Sequence, residues 1–447
     1  MGFFSRSSRT RIECPSATVL ARRGGSPWEN ADHMATAVGQ IECEGCGLFQ
    51  AAAAVGPGES AHCGRCGQRL YHGVADSIDR TLALTITALI LLVIANTFLF
   101  MVFEFKGRSE ANRILTGVFG LWKLGYAPLS LLIGFASILA PVLHLTGMLF
   151  VLVPVKFGRN PGYLGPLFRW LGALRPWSML EVYLLGAFVA IVKLGQLASI
   201  ELDLAFYAFV GLIFVSAASH ESLDARQVWS TIPVPRSPSQ KGTARGGAAH
   251  ACSTCGLISR VPQGGGEGAR CPRCRGQLHS RKPQSLQRTW ALVIAALLLY
   301  FPANYYPVLI IEILGEKEPN TILSGVQELV SSGMWELGML VFIASIAVPM
   351  LKLIGLTYLM LSVHLRSRWK PRDRTLLYRL VEYIGRWSMI DMFMTSILVA
   401  LVQLGALATI DPGVGATCFG AVVVLTLFAA SEFDPRLVWD ALEEADE

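Results

Sequence analysis

Charged residues are scarce in this chain of 447 residues, and several signals of a soluble or ATP-driven protein are missing. Asp, Glu, Lys and Arg make up 16% of the sequence, whereas soluble domains carry roughly 25%. No Walker A or other nucleotide motif is present. Residues 1–40 contain no continuous apolar stretch of the kind that a secretory signal needs. These absences exclude a soluble globular protein and an ATPase, and we expect residues 1–40 to form a disordered leader.

Long apolar stretches are abundant instead, and they occur in two sets of four. Hydrophobic residues make up 53% of the chain, and each span is long enough to cross a hydrocarbon core about 30 Å thick. The predicted spans are 82–103, 127–155, 179–199 and 204–220, then 290–311, 337–363, 388–410 and 414–431. In each set, a very short turn is predicted between the third and fourth spans.

Eight of the ten cysteines form four CxxC pairs, grouped two and two. The spacing within each group is typical of a four-cysteine zinc ribbon. The predicted ligands are Cys43, Cys46, Cys63 and Cys66, then Cys252, Cys255, Cys271 and Cys274. Four thiolates leave no open coordination position, so we expect two structural zinc ions. Ribbons that have lost their metal, or disulfides in an oxidising compartment, are the alternatives.

The two halves of the chain are duplicates. Cys43 matches Cys252 and Pro141 matches Pro349, at offsets of 209 and 208. Both halves end in Asp-x-Arg-x-Val-Trp, at 224–229 and at 434–439. The predicted fold is an all-α polytopic membrane protein with two tandem four-helix units, each preceded by a zinc ribbon. Its parts are the leader 1–40, ribbon 41–75, unit 76–230, linker 231–249, ribbon 250–282 and unit 283–447.

The distribution of charge predicts the topology. The segment from Arg226 to Arg288 contains eleven Lys or Arg residues and one acidic residue, whereas Glu201, Asp203 and Asp411 lie on the opposite side. Cytoplasmic loops are rich in Lys and Arg, so both ribbons and both termini are expected in the cytoplasm, where thiols stay reduced. The net charge of +6 is therefore a topology signal, and no nucleic-acid partner is predicted.

Polar residues inside the second set of spans form the candidate functional site, because such residues are costly in a bilayer. They are Ser345, Lys352, Ser388, Asp391 and Thr426. We expect Lys352 and Asp391 to form an ion pair between neighbouring spans, with the serine hydroxyls completing the hydrogen bonds. The pair is either a proton- or ion-coupled switch or a buried ion pair that fixes helix register.

The first half carries weaker counterparts of these residues. They are Ser137, His144, Ser178 and Glu181. Thr426 is aligned with apolar Phe214, although Ser216 is close. Lys193 is an additional cation near the outer end of its span, from which it can extend to the interface. Equal activity of the two halves is therefore not expected.

The combination of these motifs resembles the PqiA/LetA family of paraquat-inducible protein A-like membrane proteins. The resemblance rests on the doubled unit of ribbon and four spans, on Arg-Trp-Ser-Met-x-Asp at 386–391 and on Asp-Pro-Arg-Leu-Val-Trp at 434–439. It implies a tetraspanin-like fold for each unit. It also implies an inner-membrane partner of periplasmic MCE-domain (mammalian cell entry) tunnel proteins, which moves phospholipid and uses the five polar residues of the second half.

The predicted function is therefore that of an inner-membrane lipid transporter subunit and not of an enzyme. It would load or unload phospholipid at an MCE tunnel, driven by the proton gradient, and so support the outer membrane. The alternative is a non-transporting scaffold that anchors or assembles an MCE complex. A scaffold should tolerate Lys352→Met combined with Asp391→Leu. A membrane oxidoreductase would need haem-ligating histidine pairs, and His144 is the only histidine well inside a predicted span.

Overall fold

The computed structural model describes residues 11–14, 39–53, 55–105, 108–195, 199–234, 248–261, 269–313, 316–401 and 408–443. Within these ranges, eight helices are long and apolar enough to cross a membrane. Two clusters of four cysteines precede the two sets of helices. The predicted helical, polytopic architecture with two four-cysteine units is thereby confirmed.

The first unit contains four spanning segments, two of which are interrupted. Its helices are α1 (Ser77–Thr97), α2 (Ile114–Lys123), α3 (Ala127–Lys156), α4 (Leu164–Leu174), α5 (Leu180–Leu194), α6 (Leu204–Ser222) and α7 (Ala225–Thr231). A 3-10 turn connects α4 to α5, so that the third span begins at 164 and not at the predicted 179. Arg169 of α4 and Arg175 of the turn interrupt the apolar run and hide this extension.

The second unit repeats this order. Its helices are α8 (Ser285–Tyr305), α9 (Ile322–Ser331), α10 (Trp335–His364), α11 (Pro371–Ile384), α12 (Ile390–Leu401), α13 (Val414–Glu432) and α14 (Leu437–Glu443). In both units, the first membrane span packs along the fourth. These contacts join α1 to α6 and α8 to α13. The two units meet where α5 packs against α12. Gly186 permits this approach, because a Cβ there would lie 3.0 Å from Cβ of Phe393.

Each unit also carries a small antiparallel sheet at the end opposite the ribbons, which the apolar spans alone do not predict. In the first unit, β6 (Met101–Phe105) pairs with β7 (Arg108–Asn112) and with β8 (Ser199–Leu202). In the second, β11 (Leu309–Ile313) pairs with β12 (Glu316–Asn320) and with β13 (Ala408–Pro412). The predicted short turns between third and fourth spans are therefore wrong, since β8 and β13 lie there.

The ribbons are built from short strands that carry the cysteines at their turns. The strands are β1 (Arg11–Cys14), β2 (Gln40–Glu42), β3 (Phe49–Ala51), β4 (Ser60–Cys63), β5 (Arg69–His72), β9 (Ala248–Ala251) and β10 (Ile258–Val261). Strand β1 pairs in parallel with β4, so this part of the predicted leader is not disordered. The rest of the leader up to residue 38, and residues 235–247 of the predicted linker, lie outside the described residues.

The cysteines of each ribbon pack against the transmembrane unit of the other half of the chain, an arrangement that we call crossed docking. The cysteines of the first ribbon share a buried cluster with Tyr378, Phe433 and Trp439 of the second unit. The cysteines of the second ribbon share one with Phe168 and Trp229 of the first unit. Each cysteine cluster is thus packed against the transmembrane unit that does not directly follow it in the chain.

Candidate functional site

Both cysteine clusters have the geometry of a tetrahedral metal site. All four Sγ atoms of each cluster lie within 4.8 Å of one another. The closest pairs are 3.6 Å apart in the first ribbon and 3.5 Å apart in the second. A tetrahedron with metal–sulfur bonds of about 2.3 Å has edges of about 3.8 Å, whereas a disulfide needs about 2.05 Å. Each cluster could therefore hold one metal ion, and the eight thiols are not paired as disulfides.

The four CxxC turns have nearly identical backbones. In each, the residue after the second cysteine donates its N–H to the carbonyl of the first, at 2.8–2.9 Å. This residue has positive φ in all four turns, which favours glycine. Gly47, Gly67 and Gly256 occupy three of these positions, and Arg275, with φ of 58°, occupies the fourth. The fourth turn is the one where the sequence departs from the local geometry.

The closing motif of the second unit joins the ribbons to the helices. Asp434 accepts hydrogen bonds from Arg436 Nε and Nη2, both at 3.0 Å. Burial would raise the pKa of the Asp434 carboxyl, but the Arg436 guanidinium outweighs it and holds that pKa below its usual range. Arg436 also reaches Glu42 of the first ribbon at 3.1 Å. In the first unit, Arg226 instead lies over the Tyr71 ring at 3.9 Å.

The polar residues of the second unit surround the start of α12. Lys352 is 1% exposed, and its Nζ donates to Ser388 Oγ at 3.1 Å and to the Gly385 carbonyl at 3.3 Å. Ser388 Oγ in turn donates to the same carbonyl at 2.8 Å. Gly385 and Ser388 belong to the 3-10 turn Gly385–Met389 between α11 and α12. This turn is therefore the binding site of the lysine ammonium.

The predicted ion pair between Lys352 and Asp391 is wrong. The structure describes both side chains, and Lys352 bonds to the 3-10 turn while Asp391 Oδ1 is buried without a hydrogen-bond partner. The Ser345 hydroxyl lies beside Asp391 and is also unpartnered. Asp391 lies on α12 beyond the turn that binds the lysine. A three-residue spacing predicted one shared helical face, but Ser388 lies in the 3-10 turn, so the two side chains are separated.

Asp391 instead borders a small cavity that the two units form together. The cavity has a volume of about 40 Å³ and is lined by Asp391 and Thr395 of α12, by Thr321 and by Lys193 of α5. Thr395 Oγ1 is a further buried atom without a partner. The sequence predicted Lys193 at the membrane interface, whereas the structure places it at this cavity. The available signal was a cation inside an apolar span.

Ser137 and Ser345 occupy equivalent irregular segments. They lie in the π-helical stretches Phe135–Leu139 and Ile343–Ala347. The proline that follows each stretch, Pro141 or Pro349, lacks an N–H and clashes with the carbonyl four residues earlier, which accounts for the widened turn. Ser137 Oγ donates to the Ile133 carbonyl at 2.8 Å. Ser345 has no such partner within the described residues.

The counterpart of Thr426 is Ser216, and the alignment of Thr426 with Phe214 is wrong. Helices α6 and α13 are both 19 residues long and start 210 positions apart, which matches 216 to 426. Thr426 Oγ1 donates to the Val423 carbonyl at 2.9 Å, and Ser216 Oγ donates to the Ile213 carbonyl at 3.0 Å. Both hydroxyls therefore bond to the carbonyl three residues earlier, and Phe214 faces outward with 73% exposure.

The remaining counterparts in the first unit do not form an equivalent cluster. Glu181 is exposed and Ser178 is half-buried. His144 is buried, but its ring lies 5.2 Å from that of His220, and its Nδ1 has no partner. No sequence signal joins His144 to His220, because their spans are not consecutive. The structure thus separates His144 from Glu181, which were predicted together.

The architecture defines a class of proteins: multi-pass membrane proteins with two tandem helical units and two four-cysteine clusters, each of which could hold a metal ion. A family model described as Paraquat-inducible protein A matches residues 78–233 and 286–443. The chain belongs to this family, known as PqiA.

Relatives at full length agree with this assignment. The chain is 33% identical over 433 residues to the Lipophilic envelope-spanning tunnel protein A of Escherichia coli K12, covering 97% of both chains. It is 33% identical over 416 residues to the Intermembrane transport protein PqiA of the same strain, covering 91% of this chain and 97% of that one. A Probable intermembrane transport protein of Haemophilus influenzae is 27% identical over 401 residues, with coverage of 89% and 94%. No solved structure matches this chain.

Proposed function

We propose that this protein is the inner-membrane subunit of a proton-coupled phospholipid transporter. It passes lipid to or from the mouth of a periplasmic MCE-domain tunnel and thereby supports outer-membrane integrity. The names of the E. coli relatives, one an intermembrane transport protein and the other an envelope-spanning tunnel protein, support a transport role. The absence of a nucleotide motif in the sequence favours the proton gradient as the source of energy.

The observation that carries the proposal is a group of buried oxygen atoms in the second unit that have no hydrogen-bond partner. Lys352 is held by a carbonyl and a hydroxyl, whereas Asp391, Ser345 and Thr395 each leave a buried oxygen without a partner. Buried polar atoms are normally satisfied, and exceptions need an explanation. Among the described residues, Asp391 is the only carboxylate with such an atom, and it borders the cavity between the two units. A carboxylate placed in this way can gain and lose a proton, which a static scaffold does not require.

The proposed coupling step is a change of charge at α12. Protonation of Asp391 at the cavity would remove its negative charge, and loss of the proton would restore it. Because a charge in low dielectric requires compensation, the two states favour different packing of α12 against α5 and α10. Lys352 keeps the 3-10 turn in place while it remains bonded to Ser388 and Gly385.

The decisive experiment compares transport with assembly. The full-length protein and its MCE partner are reconstituted in vesicles with an imposed pH gradient, and transfer of a fluorescent phospholipid is measured. We expect the double variant Lys352→Met with Asp391→Leu to bind its partner normally and to transfer no lipid above the protein-free background. Wild-type transfer in this variant would reject proton coupling at this site and favour the scaffold function.

We further propose that both metal ions are zinc, with structural roles, and that the ribbons and both termini are cytoplasmic. Metal analysis of protein purified without chelator should give two zinc ions per chain. A reporter fused after Glu447 should behave as cytoplasmic, and one inserted near Glu318 in β12 as periplasmic. The reverse pair of reporter results would invert the topology. Another metal in both sites would reject zinc.

A further inference from the structure

The first ribbon touches the second unit through an arginine that contacts a metal ligand. Arg379 of α11 donates from Nη2 to Cys66 Sγ at 3.3 Å and to Gln68 Oε1 at 3.3 Å. Gln68 Oε1 also lies 3.7 Å from Cys43 Sγ. When the thiolates hold a metal, a guanidinium donating to one of them is a charge-assisted bond of the kind that orients metal sites.

This contact belongs to a larger interface that fixes the ribbon against the unit. Arg65 lies over the Trp439 ring at 4.5 Å, and Glu42 is paired with Arg436 at 3.1 Å, with both side chains about 10% exposed. Trp439 Nε1 donates to Thr375 Oγ1 on α11 at 3.0 Å. The ribbon therefore holds α11 both directly, through Arg379, and through the closing helix α14.

Helix α11 leads directly into the turn that binds Lys352. Arg379 is six residues before Gly385, or about 9 Å along a helix. The Gly385 carbonyl and Ser388 Oγ are the two acceptors of the Lys352 ammonium. Because a short helix moves as a rigid body, a shift of α11 at Arg379 displaces both acceptors. Arg379, which contacts the metal site, and the turn that binds Lys352 are thus parts of one continuous helical segment.

The first unit offers a matched arginine at the same place. Arg169 of α4 lies 210 positions before Arg379 and sits against the second ribbon. A Cβ at Gly276 would be 3.3 Å from Cys274 Sγ and 3.4 Å from Arg169 Nη1, so the guanidinium is beside this metal site too. Helix α4 leads into the turn Arg175–Trp177. No lysine of the described residues is bound there.

We propose that Arg379 is a positioning residue, which ties the metal centre of the first ribbon to α11 and so holds the 3-10 turn that binds Lys352. Arg169 does the same for the first unit, where the turn carries no ammonium. Each ribbon therefore positions the turn of the unit against which its cysteines pack. The importance of this control for transport rests on the function proposed above for Lys352.

Amide hydrogen exchange tests the coupling without measuring transport. Full-length wild type, Arg379→Gln and Arg169→Gln are compared in lipid nanodiscs. We expect Arg379→Gln to accelerate exchange severalfold at 385–389 and to leave 175–178 unchanged, and Arg169→Gln to do the reverse. Wild-type exchange at 385–389 in Arg379→Gln, or equal acceleration in both units, would overturn the proposal. This readout decides the coupling even if Lys352 has no role in transport.

Transport and metal content then test the consequence. With the MCE partner, Arg379→Gln should retain two metal ions per chain but transfer lipid roughly tenfold more slowly, a typical effect of losing a group that supports a metal ligand. Arg379→Lys retains a cationic donor and should recover most of the rate, and Arg169→Gln should stay within twofold of wild type. Equal loss in the Gln and Lys variants, or equal loss in the two Gln variants, would contradict a positioning role.

Discussion

The two halves share one scaffold but differ in where they keep their ionisable groups. In the second unit, Lys352 and Asp391 are buried around α12, a helix whose residues 390–401 are all buried except Ala400. In the first unit, α5 exposes Glu181 and Phe188, and the histidine at the lysine position lies beside His220. Duplication thus preserved the helices and the π-helical stretches, while only one copy encloses a carboxylate among the residues that the structure describes.

The difference follows from how the units pack. Helix α12 is covered by α5 on one side and by α2 on another, where a Cβ on Gly117 would collide with Ser396. The described part of the first unit gives its own third span no comparable enclosure. The first unit therefore acts as a wall of the second unit's site and contributes Lys193 to the cavity. A duplicated protein can thus become asymmetric when one copy packs around the other.

The largest difference between the halves is expected from the two carboxylates. Asp391→Asn has the volume of the protonated acid and cannot release a proton, so we expect lipid transfer to fall more than a hundredfold with normal expression. Glu181→Gln, on the exposed face of α5, should transfer lipid within twofold of wild type. The measurement is phospholipid transfer by the reconstituted complex. Comparable losses in the two variants would mean that the units contribute equally.

The ribbons provide the next comparison. Cys63→Ser and Cys271→Ser should each reduce the metal content from two ions to one, because three ligands cannot close the tetrahedron. Small ribbons depend on their metal to fold, with apparent binding energies of roughly 10–16 kcal/mol, so a drop of several degrees in the thermal midpoint is expected. Metal analysis and thermal unfolding in nanodiscs check this. Loss of both ions from a single substitution would argue against independent sites.

A smaller difference is expected between the matched hydroxyls of α6 and α13. Thr426→Val removes a buried hydroxyl of the second unit and should slow lipid transfer several-fold, whereas Ser216→Ala in the half-buried counterpart should have no measurable effect. Thermal midpoints should differ little, because each hydroxyl bonds only to its own helix and a hydrogen bond contributes about 1 kcal/mol. Wild-type transfer in Thr426→Val would remove this residue from the site.

The smallest effect concerns the fourth CxxC turn. Arg275→Gly relieves the left-handed backbone at a position where the other three turns have glycine, and we expect about 1 kcal/mol of stabilisation. Gly67→Ala, the equivalent position of the first ribbon, should destabilise by a similar amount. Chelator concentration at half-loss of metal reports both changes. A destabilised Arg275→Gly would mean that the arginine side chain has a contact worth more than the strain.

Local patterns predicted the parts of this molecule, and distant contacts decided how they meet. Apolar length identified eight spans, and cysteine spacing identified the two four-cysteine clusters, because both signals are contained in short segments. The acceptors of Lys352 lie on another span, 33 and 36 residues away, and Lys193 comes from the other unit. Helical periodicity assigns a side chain to a face but not to a partner, so the expected pair of Lys352 with Asp391 was wrong.

The small sheets were missed for a related reason. Strands β8 and β13 have four and five residues and adjoin long apolar helices, which dominate any window that includes them. Their pairing with β6 and β11 becomes visible only when the ends of the first and third spans are brought together. The crossed docking of the ribbons carries no local signal, since each ribbon is followed directly by a unit that could equally have received it.

Crossed docking also has a consequence for synthesis of the chain on the ribosome. Cys66 precedes its contact Arg379 by 313 residues, and translation at about 5–20 residues per second makes the first ribbon wait roughly 15 to 60 seconds for its docking surface. During that interval the apolar face around its cysteines has no native cover, and the ribbon-facing end of the first unit lacks the second ribbon. The two halves therefore cannot complete their folding one after the other. The helices of the second unit, which are translated last, provide the docking surface of the first ribbon, which is translated first.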